Sequence, residues 1–135
     1  MSMRDYAIDD YGLLLDNETI KVIAHKVIDG YVEDINNIDL AYELYERGIC
    51  EYVSEFTGEA SEVDSNGFYW GGECEEYSGD VITYVQASNY PTLFKRAYND
   101  IDELVEEFKN KIGEYLPEDF DYRSNIRHIC GTYYG

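Results

Sequence analysis

The chain has 135 residues, with 29 Asp and Glu against 10 Lys and Arg, a formal net charge of −19 and a sequence pI of about 4.1. A surface of that sign repels DNA, RNA and anionic lipid over a long range, which argues against direct binding to nucleic acid or membrane and makes a basic protein the natural partner. Apolar residues form 44% of the sequence, and a chain this long buries about two thirds of its unfolded surface, so a single acidic domain over residues 1–135 is expected to fold rather than stay disordered.

Residues 11–15 predict a short strand, and Asp16 follows as a helix N-cap. Ile20, Ile23, Ala24, Val27, Ile28 and Tyr31 then recur at helical spacing, leaving Lys21, His25 and Lys26 on the opposite face. A second, shorter helix runs from Asp39 as cap to Arg47, with Leu40, Ala41, Leu44 and Tyr45 facing inward and Gly48 as a left-handed stop. From Ile49 to Gln86 the residues turn β-branched and aromatic. Turn chemistry at Asp64-Ser65-Asn66-Gly67 and at Ser78-Gly79-Asp80 divides them into a meander of three strands, roughly 50–63, 67–76 and 80–87.

Pro91 breaks the chain, and a third helix starts near Asn99 or Asp100. Ile101, Leu104, Val105, Phe108, Ile112, Tyr115 and Leu116 form its apolar face, and Pro117 ends it. Between Tyr122 and Tyr134, Ile126, His128 and Cys130 alternate with Arg127 and Ile129, which predicts a final strand. The expected architecture is α+β: an antiparallel sheet of three to four strands with about three helices packed on one face.

Chemical motifs are sparse. His128-x-Cys130 could supply two metal ligands, with Cys50 and Cys74 completing a set in space. A structural zinc site shows closely paired ligands twice over, so the expectation is no metal and buried free thiols. Asp64-Ser65-Asn66-Gly67 opens like a calcium loop, but its glycine stands fourth rather than sixth and only Glu75, at position twelve, fits. Gly71-Gly72 lacks phosphate-cradle spacing and reads as a bulge. His25 and His128 lie in no recognisable Ser or Cys context. No catalytic residue and no cofactor is expected. An odd count of three cysteines without a CxxC pair suits reduced thiols, the first ten residues carry no apolar run, and no stretch approaches a membrane span, all of which point to a cytoplasmic protein.

What remains is the distribution of charge. Residues 48–94 contain no Lys or Arg, yet nine acids: Glu51, Glu55, Glu59, Glu62, Asp64, Glu73, Glu75, Glu76 and Asp80. Like charges on neighbouring strands cost stability, so a segment that keeps them uses the field they make, unless the charge serves only solubility. Tyr52, Phe56, Phe68, Tyr69, Trp70, Tyr77, Tyr84 and Tyr90 interleave with them. About half should be packing, while the others stack on arginine and anchor a partner that the acids steer. The expected contact set is the nine acids together with Tyr69, Trp70 and Tyr77. A second patch on the third helix, Asp102, Glu103, Glu106 and Glu107, is diluted by Lys109 and Lys111 and explained by the helix dipole and a Glu107–Lys111 pair.

In size, charge, base-free segment and Tyr/Glu/Asp surface, the sequence resembles the small acidic DNA-mimic proteins with which phages and mobile elements counter host defence, the anti-CRISPR and anti-restriction proteins. The resemblance is one of character and covers no diagnostic motif. It implies a non-catalytic inhibitor acting in the host cytoplasm, occupying the DNA- or PAM-reading cleft of a nuclease such as a CRISPR effector or restriction enzyme. An immunity protein or antitoxin that neutralises a basic toxin nuclease is the alternative, and a small enzyme using acids and a histidine is a third.

Overall fold

The computed structural model describes residues 5–28, 37–63, 74–87 and 101–134. Along the chain these form β1 (Asp5–Leu14), α1 (Asn17–Val27), α2 (Asn37–Glu46), β2 (Glu51–Glu62), β3 (Cys74–Gln86), α3 (Ile101–Ile112) and β4 (Ile126–Tyr134), with single 3-10 turns at Gly113–Tyr115 and Arg123–Asn125. The class is α+β, with three α-helices and four antiparallel strands. The sheet is not open, however: β1 pairs with β3, β3 with β2, β2 with β4, and β4 with β1 again, which closes it into a barrel.

Two bulges account for the largest departure from the expected strands. Ser78-Gly79-Asp80, read as a turn, lies inside β3, which runs unbroken from Cys74 to Gln86. Register steps from Val53↔Ile82 to Phe56↔Asp80, so β2 carries one extra residue, and then from Phe56↔Asp80 to Thr57↔Ser78, so β3 carries one extra. Glu55 and Gly79 absorb these insertions in left-handed backbone, at φ 57° and 73°. The two bulges offset each other, pairing resumes in step as far as Ser61↔Cys74, and the added bend helps the sheet curl onto itself. The hairpin turn expected at Asp64–Gly67 and the first part of the expected 67–76 strand lie outside the described residues.

Closure is tightest where Gly58 on β2 meets Gly131 on β4. A Cβ on Gly58 would lie 2.6 Å from Gly131 Cα, and one on Gly131 would lie 2.7 Å from Gly58 Cα. Both would also stand 2.7 Å from the Phe56 ring. Two glycines therefore let the strands cross in contact, and one buried ring fills the space their missing side chains leave.

The alternation of the strands splits the core in two. Ile8, Val53, Phe56, Ala60, Ile82, Tyr84 and Ile129 form one cluster, the barrel interior. Tyr11, Leu13, Val85 and Ile126, of opposite parity, pack in a second cluster with Ile20, Ile23 and Ala24 of α1, Leu40, Ala41 and Leu44 of α2, and Leu104, Phe108 and Ile112 of α3. Asp16 caps α1 as expected, its Oδ1 accepting both the backbone N–H and the hydroxyl of Thr19 at 2.8 Å. Gly48, at φ 77°, follows α2 as its left-handed stop.

Several side chains depart from the sequence reading. Tyr45 is not inward but 43% exposed, the buried face of α2 being formed, among its described side chains, by Leu40, Ala41 and Leu44. Only Cys50 is a buried thiol, and Cys74 and Cys130 are exposed. Lys111 does not pair with Glu107. Its ammonium donates instead to the Gln86 carbonyl at 2.8 Å, tying α3 to the end of β3. β1 starts at Asp5, well before Tyr11, because it pairs with β4 along its whole length.

Candidate functional site

The acidic face is built by the register of three strands. Glu59 on β2 lies directly opposite Glu76 on β3 and, on its other side, opposite Cys130 on β4. The next row outward is Thr132, Thr57 and Ser78. All six are exposed, while Phe56 and Ala60, of the other parity on β2, are fully buried inside the barrel. Neighbouring strands are about 4.8 Å apart, so Glu59 and Glu76 hold two like charges side by side on a rigid support.

Glu55 is exposed at the β2 bulge, and Asp80 is exposed at the β3 bulge, where it pairs with the buried Phe56 and so projects from the opposite side of the strand to Glu76. Glu75 is exposed too, and its Oε2 accepts the Tyr77 hydroxyl at 2.7 Å. The Tyr77 ring is half-buried and edge-on to Phe56, with centroids 6.2 Å apart. Burial, reinforced by the bond to Glu75, pushes the Tyr77 phenol above its ordinary range, so it stays a neutral donor that fixes the Glu75 carboxylate. Among the described residues no ion pair reaches Glu55, Glu59, Glu75, Glu76 or Asp80.

The expected contact set thus divides. Glu59 and Glu76 share the outer side of β2 and β3, whereas Glu75, Tyr77 and Asp80 have the parity of the buried Ala60 and Phe56 and lie on the other side, with Glu55 at the bulge. Glu62 is half-exposed, with Arg127 4.0 Å away, and Glu51 is half-buried at the far end of β2, opposite Tyr84. Asp64, Tyr69, Trp70 and Glu73 lie outside the described residues, as do Phe68 and Tyr90. Phe56 and Tyr84 are core, and burial followed by Glu51 and Asp10 raises the Tyr84 phenol. Two of the four acids of α3 stand against a cation: Arg123 lies 2.5 Å from Asp102, and Lys109 lies 3.9 Å from Glu106.

Sequence reasoning missed an aromatic cluster. Tyr42 and Tyr45 of α2 are 49% and 43% exposed, with ring centroids 6.1 Å apart, and Tyr42 also meets Tyr52 of β2 edge-on at 5.9 Å. The available signal was spacing: with Leu40, Ala41 and Leu44 defining the inward face of a ten-residue helix, Tyr42 falls off it.

Other chemistry is confined. Ser61 and His128 are register partners on β2 and β4, but both are buried, at 6% and 7% exposure, and the His128 ring packs against Tyr11 at 5.7 Å. The described residues contain no group of three or more His, Cys, Asp or Glu placed to hold a metal ion. A cavity of about 300 Å³ is lined by Glu62, Ile101, Arg123, Ser124 and Arg127 among others. A second, of about 240 Å³, lies beside Cys50, Glu51 and Lys111. Burial, and then Glu51, push the Cys50 thiol up to about 12, so it remains protonated and inert. No described helix is long and apolar enough to cross a membrane. No protein-family model, curated protein or solved structure matches the chain.

Proposed function

We propose that this chain is a non-catalytic binding protein that presents the carboxylates of β2 and β3 in place of nucleic-acid phosphates and occupies the DNA- or RNA-binding cleft of a basic protein. A defence nuclease of the CRISPR-effector or restriction type is the target class that the acidic, base-free face fits best. One observation carries the reading: Glu59 and Glu76 are exposed and directly opposed on the outer side of β2 and β3, Glu55 is exposed at the bulge, Glu75 and Asp80 are exposed on the other side of β3, and no ion pair among the described residues reaches any of the five. DNA carries one charge per about 1.7 Å of axis, and the Lys and Arg that neutralise those phosphates would engage closely set carboxylates in the same way. Steering by the field makes association fast and weakens it with salt.

The test is inhibition of DNA cleavage across a panel of purified CRISPR effectors and restriction nucleases, with Glu59→Lys/Glu76→Lys beside the wild type. At least one nuclease is expected to lose DNA binding at stoichiometric inhibitor, and the double reversal should weaken that inhibition about 10- to 100-fold. Asp102→Lys/Glu106→Lys, at the two ion-paired acids of α3, should inhibit nearly as well as wild type. Equal inhibition by wild type and the β2–β3 reversal would overturn the proposal.

A further inference from the structure

We propose that Tyr42, Tyr45 and Tyr52 form an arginine-reading patch, a second contact surface that takes an exposed guanidinium of the basic partner. This rests on the proposed function for the partner's basic character, but its evidence is separate. α2 buries Leu40, Ala41 and Leu44 and leaves two tyrosines 49% and 43% exposed on its other side. A ten-residue helix that needed only solubility would place polar side chains there.

The three rings are organised around Tyr42, which meets Tyr45 at 6.1 Å and Tyr52 edge-on at 5.9 Å. Hydrogen bonding to and then the charge of Glu46, one turn on, raise the Tyr42 phenol above its ordinary range, and Glu46 is exposed with no ion pair among the described residues. The nearby Arg47 is already engaged, with Glu43 at 3.3 Å and with the Val27 carbonyl at 3.1 Å.

A ring face beside a carboxylate with no ion pair among the described residues suits a guanidinium, which stacks flat on aromatics and forks its N–H groups onto carboxylate oxygens. An ammonium, compact and strongly hydrated, gains less from either. The patch and the acidic face share β2. β2 carries Tyr52 and Glu59 seven positions apart, about 23 Å at 3.3 Å per residue, so one partner surface can span both.

Fluorescein-labelled hexa-arginine and hexa-lysine peptides of equal charge, titrated with the full chain at low salt, read the preference without any nuclease or DNA. Wild type should bind the arginine peptide about two- to five-fold more tightly than the lysine peptide. Tyr42→Ala/Tyr45→Ala should bring the two to parity with the lysine affinity unchanged. Tyr42→Phe/Tyr45→Phe, which keeps the rings, should retain the preference. Glu59→Lys/Glu76→Lys should weaken both peptides together and leave their ratio intact, which separates this patch from the acidic face.

Equal binding of the two peptides by wild type, or an arginine preference that survives in the alanine pair, overturns the assignment. So does a concentration-dependent dimer in sedimentation that the alanine pair abolishes, because the occupant would then be a second copy of the chain. A thermal unfolding curve of the alanine pair matching wild type shows that the fold is retained. If it does not match, the single variants Tyr42→Gln and Tyr45→Gln must each lower the preference, and a preference unchanged in both overturns the assignment.

Discussion

Asp102 and Glu106 on α3 each stand against a cation, Arg123 at 2.5 Å and Lys109 at 3.9 Å, and Glu43 on α2 does the same with Arg47 at 3.3 Å. Glu59 and Glu76, on β2 and β3, face each other directly with no ion pair to either among the described residues. Both regions are acidic by composition, and only the helices set some of their carboxylates against cations. Exposed pairs on a helix contribute at most about 1 kcal/mol, and like charges opposed across strands cost a similar amount. Stability alone therefore barely selects between the two arrangements. What differs is availability: Asp102, Glu106 and Glu43 already have cationic partners, and Glu59 and Glu76 have none among the described residues.

The barrel that holds the unpaired carboxylates is the first thing to break. Phe56 is fully buried, and its ring fills the space beneath the Gly58–Gly131 crossing and supports Tyr77, which in turn fixes Glu75. Phe56→Ala should destabilise the chain by about 3–5 kcal/mol, a large part of a stability typically near 5–15 kcal/mol. Urea unfolding followed by circular dichroism measures it. A loss under about 1 kcal/mol would mean that the crossing does not hold the barrel, and that the geometry of the acidic face depends on something else.

How far the sequence led follows from the range of each signal. The helices were legible because their evidence is local: Asp16 caps α1, Gly48 stops α2, and the apolar face of α3 recurs without a gap. Barrel closure was not, since it depends on Gly58 meeting Gly131 more than seventy positions away, and an isolated glycine in a strand signals only a bulge or close approach, not its partner. Gly79 misled for a related reason, because a left-handed glycine serves a turn or a bulge equally well and only the pairing of β2 decides. The acidic segment was visible as composition. That Glu59 and Glu76 oppose each other while Glu62 approaches Arg127 was not, because register decides it. Tyr45 was misassigned since its spacing from Ala41 matches a buried stripe, yet Leu40 and Leu44 already fill that face.

Glu55 sharpens the comparison, for it is the one described non-glycine residue with positive φ, at 57°, and it sits at the bulge beside the acidic face. Left-handed backbone costs an ordinary L-residue about 1–2 kcal/mol, which glycine avoids while losing some of the gain to the entropy of its unfolded chain. Glu55→Gly should therefore stabilise the protein by about 0.5–1 kcal/mol, and Glu55→Ala, which keeps the strain, should not. The same glycine variant should inhibit less well if the carboxylate is what the strained position presents. A variant both more stable and equally inhibitory would remove Glu55 from the contact surface.

The smallest effect is the most discriminating, because its sign differs between the two regions. Glu76→Gln removes one of two facing carboxylates and should raise stability by about 0.2–1 kcal/mol at low ionic strength. Asp102→Asn removes half of an ion pair and one acid from the first turn of α3, so it should lower stability by about 0.3–1 kcal/mol. Both partners of that pair are more than half exposed, which places the loss toward the lower end. Measuring the two variants in urea at rising NaCl tests the cause as well as the sign. At 1 M salt the screening length falls to about 3 Å, and both differences should shrink toward zero. Arg123→Gln in the Asp102→Asn background then isolates the pair: if the pair carries the loss, the second substitution adds almost nothing, and if the helix dipole carries it, Arg123→Gln alone leaves stability unchanged. Should Glu76→Gln prove destabilising at every salt concentration, the facing carboxylates would be supported by the fold rather than merely tolerated by it, and the contrast between strand and helix would lose its physical basis.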